Sequence, residues 1–144
     1  MAVTPTFRSR AGIAVGLPAQ SVELPRALRQ LQQRRGLGPE TAVWVNELGG
    51  LTFRFDGIEP AQYVKWAPNH PELDLEGEAR RLRWARSYAP VPVVIDVGAD
   101  DEGSWLSMIA LPGESAVSPR WLREPRTAAR AIGTASVRCT IVCR

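Results

Sequence analysis

Lysine is almost missing from this sequence: of its 18 basic side chains, all but Lys65 are arginine. A GC-rich genome produces this bias, because lysine codons are AT-rich, and the single exception points mildly to a position where arginine does not serve. Cysteine is confined to Cys139 and Cys143, and a Cys-x₃-Cys pair offers too few ligands for a structural zinc site. Histidine occurs once, as His70. No apolar run approaches the roughly 20 residues that a membrane helix needs. The mildly apolar stretch 11–19 follows Arg8 and Arg10 but is broken by Gly12, Gly16 and Pro18, so a flexible extension is expected there rather than a signal peptide. There is no excess of acid either. A net charge of +3 permits attraction to nucleic acid or anionic lipid without arguing for them, and neither is expected as a partner.

What is present suits a globular domain. The 144 residues are enough for one core, and a hydrophobic share of 44% is ordinary. Residues 1–22 lack periodicity. A helix is expected over 24–35, with Leu24, Leu28 and Leu31 on one face and Arg26, Arg29, Arg34 and Arg35 on a solvated face. Gly36, Gly38 and Pro39 end it. From Ala42 the pattern alternates: strands are expected over 42–45, 51–55, 63–67, 93–97 and 104–111. Asn46–Gly50 and Asp56–Gly57 supply turn chemistry between the first three. A helix over 74–88 falls between the third and fourth strands, with Asp74 as N-cap and Leu75, Ala79, Leu82 and Ala85 as its apolar stripe. A further helix is expected over 121–132. The fold class that follows is α+β: a five-stranded antiparallel sheet, one long helix and an N-terminal helix.

The order of parts carries chemistry. A glycine-bearing hairpin, a strand lysine, a helix glutamate and a strand ending at Pro112–Gly113 match the sequence of parts that hold ATP in kinase-type folds. Glycines let backbone N–H groups approach phosphate oxygens. Lys65 and Tyr63 share one face of their strand by alternation. A lysine on the face that packs against a helix needs a partner, and Glu78, bordering the stripe of the 74–88 helix, is the best placed. The alternative is that Lys65 snorkels to water, Glu78 is a surface acid and Gly49–Gly50 is only a turn.

These residues resemble a known family. Trp44 to Phe55 looks like the nucleotide-loop hairpin of aminoglycoside 3′-phosphotransferases, and Tyr63-Val-Lys65 resembles their strand lysine motif. Glu78 to Trp84, followed by Pro90-Val-Pro92, is similar to their Glu-x₅-Trp helix and connector, and Trp105 to Gly113 resembles their hinge strand. The resemblance implies a kinase-like N-lobe in which ATP is bound by Gly49, Gly50, Tyr63, Lys65, Glu78, Ile109, Ala110 and Leu111. Lys65 would contact the α- and β-phosphates, Glu78 would hold Lys65, Tyr63 would stack on adenine, and the backbone of 109–111 would meet the adenine edge. The family often carries a serine in its loop against the phosphates; here Leu48 or Gly49 stands there.

The family's second lobe carries a His-Gly-Asp-x₄-Asn loop and a magnesium-binding aspartate, and neither motif occurs in these residues. No catalytic residue and no metal ligand is therefore assigned, and the aminoglycoside is expected as a partner of the intact enzyme only. Where the family reads Leu-Arg-Ala-Leu-His-Asp after a Gly-Thr, this sequence has Ser136-Val-Arg-Cys-Thr-Ile-Val-Cys-Arg144 after Gly133–Thr134. With suitable codons the same bases, read one position earlier, encode Leu-Arg-Ala-Leu-His-Asp-Cys-Leu-Pro. Residues 1–22 are thus expected as an extension, 23–133 as the nucleotide-binding lobe and 134–144 as a frameshifted tail, in a cytoplasmic, truncated kinase without the catalytic lobe. A small basic binding protein, or the N-lobe of a choline- or homoserine-kinase relative, is the alternative.

Overall fold

The computed structural model describes residues 7–8, 14–15, 22–113 and 119–142, with side chains described over 22–113 and 119–134. Two short strands, β1 (Phe7–Arg8) and β2 (Ala14–Val15), pair antiparallel within the N-terminal extension. Helix α1 (Arg26–Arg35) begins two residues later than its apolar pattern suggests. Pro25 takes the N-cap position with extended backbone, while Leu24 already packs in the core. Gly36 ends the helix in the left-handed conformation (φ 61°), and the Leu37 N–H donates to the Gln32 carbonyl, turning Leu37 inward.

The main sheet is built from β3 (Glu40–Val45), β4 (Leu51–Phe55), β5 (Gln62–Pro68), β6 (Val94–Ala99) and β7 (Gly103–Ile109). Its order is β3-β4-β5-β7-β6 and every neighbouring pair is antiparallel. The α+β, five-stranded expectation is met. Helix α2 (Leu75–Ala85) lies between β5 and β6 in sequence, as expected, but stops before Tyr88. Its last turn tightens, with Ser87 and Tyr88 N–H groups donating to Trp84 and Ala85 carbonyls ahead of Pro90. Strand β7 ends at Ile109 rather than at Leu111, because the Ala110 N–H leaves the ladder for the Ala61 carbonyl and Pro112 follows. The expected 121–132 helix is two: α3 (Pro119–Arg123) and α4 (Pro125–Val142), divided where Pro125 supplies no N–H. The tail cysteines lie outside the residues whose side chains are described.

Strand alternation gives the sheet two apolar faces. One, with Phe53, Phe55 and Val64, packs on Leu24, Leu28 and Leu31 of α1. The other, with Ala67, Leu106 and Met108, packs on Leu75 and Ala79 of α2. Burying each large side chain contributes roughly 1.5–3 kcal/mol, so both helices are held by the sheet rather than by propensity. The arginines of α1 are not merely solvated. Arg26 reaches Asp101 and Glu102 in the β6–β7 turn, and Arg35 lies 3.9 Å from Asp96, so the helix is tied to the far edge of the sheet.

Candidate functional site

Lys65 sits in the middle of β5, opposite Thr52 of β4 on one side and Leu106 of β7 on the other. Leu106 belongs to the core under α2, so Lys65 points to the α2 face. That helix is fixed at its start by Asp74, whose carboxylate accepts the Gly77 N–H at 2.7 Å. Buried Leu75 and Ala79 set its rotation. Glu78, next to Ala79, is thereby turned toward the strand, and Lys65 Nζ donates to Glu78 Oε1 at 2.6 Å. Each side chain keeps about a third of its surface in water, 36% and 30%. A pair this exposed adds only about 0.2–1 kcal/mol to stability. Its consequence is orientation: the ammonium is held at one place beside the sheet.

That place is the wall of an open cleft of about 420 Å³, lined among others by Gly50, Trp44, Asn46, Lys65, Glu78 and Arg81. The hairpin at its rim is closed by Asn46. The Asn46 Oδ1 accepts the N–H groups of Leu48 (3.0 Å) and Gly50 (2.7 Å). The Asn46 N–H donates to the Gly50 carbonyl, and the Gly49 N–H donates to the Asn46 carbonyl. The two glycines serve differently. Gly49 adopts φ 84°, which a side chain would strain. At Gly50 a Cβ would come within 2.5 Å of Asn46 Nδ2, so the loop closes only around a bare backbone.

No family model matches the chain. Over 101 residues it is 43% identical to the aminoglycoside 3′-phosphotransferase of Streptomyces ribosidificus, covering 66% of this chain and 38% of that enzyme. Over 94 residues it is also 43% identical to the aminoglycoside 3′-phosphotransferase of Streptomyces fradiae, covering 60% of this chain and 35% of the relative. Over these residues the chain is similar to aminoglycoside 3′-phosphotransferases. It matches little more than a third of the length of these curated relatives.

The expected site residues fall into two groups. Gly50, Lys65 and Glu78 share the cleft, and Gly49 stands beside them at the hairpin tip, facing Pro68. Tyr63 lies two residues back along β5, on the same face, packed against the α2 core beside Met108. Neighbouring Arg54 carries a raised pKa, chiefly through its 2.9 Å contact to Asp56 and secondarily through a hydrogen bond to Tyr63. Ile109, Ala110 and Leu111 lie at the end of β7, on that same side of Lys65 and away from the hairpin. There the N–H of Ile109 donates to the Val93 carbonyl and that of Ala110 to the Ala61 carbonyl. Among the lining residues that sequence reasoning did not assign to the site are Trp44, Asn46 and Arg81. Arg81 was legible in principle, since it lies three residues after Glu78 on the same side of the helix. Asn46 was read only as a turn former.

Proposed function

We infer that these residues form the ATP-binding lobe of an aminoglycoside phosphotransferase, inactive in transfer by itself. The observation that carries this reading is the 2.6 Å Lys65–Glu78 bond on the wall of a cleft rimmed by the Gly49–Gly50 hairpin. Phosphoryl transfer depends on positioning and electrostatics more than on covalent help from the protein, so an oriented cation beside a glycine hairpin is the part such a lobe must supply. Lys65 neutralises charge on the α- and β-phosphates, and Glu78 keeps it from swinging into solvent. Tyr63 and the 109–111 segment, on the same side of the lysine, receive the adenine. Because the Ile109 and Ala110 N–H groups are spent on carbonyls, the base edge is met by the Leu111 N–H and by carbonyl oxygens of the segment. The bound nucleotide contributes the transferable γ-phosphoryl group.

The fit is sound in size: a cleft of about 420 Å³ lies inside the usual range for small-molecule sites, about 300–1,000 Å³. The acceptor side differs. The family's His-Gly-Asp loop does not occur in these 144 residues, so the aminoglycoside hydroxyl has nothing here to orient or deprotonate it. Calorimetric titration with ATP is expected to give weak binding that Lys65→Ala removes. Equal affinity of the two proteins would overturn the reading.

A further inference from the structure

We propose that Arg81 is a second phosphate-binding cation, engaging the polyphosphate of the nucleotide together with Lys65; this deepens the ATP-binding reading above and rests on it. The cleft offers a polyanion few positive groups. Its ionisable lining consists of two cations, Lys65 and Arg81, and three carboxylates, Glu72, Asp74 and Glu78. Lys65 is already bound to Glu78 at 2.6 Å. With Lys65 as its only cation, the cleft would repel a triphosphate more than it attracted it.

The hairpin gives little relief. The N–H groups of Leu48, Gly49 and Gly50, which a phosphate oxygen would seek, all donate to the side chain or carbonyl of Asn46. Charge must come from a side chain, and Arg81 is the one left. Its neighbour Arg80 is turned to Asp74 and Glu76. Arg81 is exposed, lines the cleft, and has no carboxylate within ion-pair distance among the described residues. It sits three residues beyond Glu78, so the two side chains rise from the same side of α2 about 5–6 Å apart at Cβ. A guanidinium there presents a planar fork of N–H donors, which matches two phosphate oxygens at once as an ammonium does not.

The test is calorimetric titration of the full chain with ATP and with adenosine, using wild type, Arg81→Ala, Arg81→Lys, Arg83→Ala and Lys65→Ala. Arg81→Ala is expected to weaken ATP about tenfold or more, as for loss of a charge-assisted bond, and to leave adenosine unchanged. Arg81→Lys, which keeps the charge and the stem, should recover part of the loss. Arg83→Ala, on the same helix but not lining the cleft, should bind as wild type does. If Arg81→Ala binds ATP as tightly as wild type while Lys65→Ala does not bind, the proposal is wrong and the ATP reading survives. An equal loss in Arg83→Ala would reduce the effect to overall charge and also overturn the proposal. Absence of ATP binding by the wild-type chain removes both.

Discussion

The Asn46 carboxamide accepts two backbone N–H groups within the five-residue hairpin loop 46–50, at 3.0 and 2.7 Å. Leu48 is half-buried and Gly50 buried, so removing the acceptor leaves their N–H groups without a partner in the loop. Asn46→Ala is therefore expected to cost about 1–2 kcal/mol, read from the midpoint of urea unfolding. An unchanged midpoint would mean that water replaces the carboxamide and that the loop is not held by it. The contrast between Asn46 and Lys65 marks what a sequence can disclose at this scale. Lys65 was legible because strand alternation fixes its face and helix spacing fixes Glu78. Asn46 was not, because its role depends on how the chain returns at Gly50, where the missing Cβ admits the side chain.

At the scale of elements, the site hangs on α2, and α2 hangs on its first turn. Asp74 accepts the Gly77 N–H, and a Cβ on Gly77 would come within 1.9 Å of the Asp74 carboxylate. Asp74→Ala should lower stability by about 1 kcal/mol, measurable as a fall in thermal midpoint of several degrees. An unaltered midpoint would show that burial of Leu75 and Ala79 alone fixes the helix. The strands and α2 were readable because each presents a clean period of 2 or 3.6 to a buried surface. Boundaries were not. Proline and local carbonyls decided them: Pro25 delayed α1, Ala61 drew Ala110 out of β7, and Pro125 split the expected third helix.

For the whole molecule, the sheet with a helix on each face is an N-lobe arrangement, and the match to the curated relatives covers 35–38% of their length. The tail is where local sequence and family pattern part. If it is a frameshift product, the gene read one base earlier from the Ala135 codon encodes Leu-Arg-Ala-Leu-His-Asp, with a His-Gly-Asp loop farther along. Genomic sequencing past that codon checks this, and three downstream frames without the loop would exclude it. The structure bears on the tail only through its backbone, which continues α4 to Val142. The proposed nucleotide site uses none of these residues. It depends on one ion pair acting as a unit, and a double-mutant cycle on ATP affinity with Lys65→Ala, Glu78→Ala and the double variant tests that most directly. All three variants are expected to lose ATP binding alike, because Glu78 acts through Lys65. Independent, additive losses, or wild-type affinity in Lys65→Ala, would contradict it.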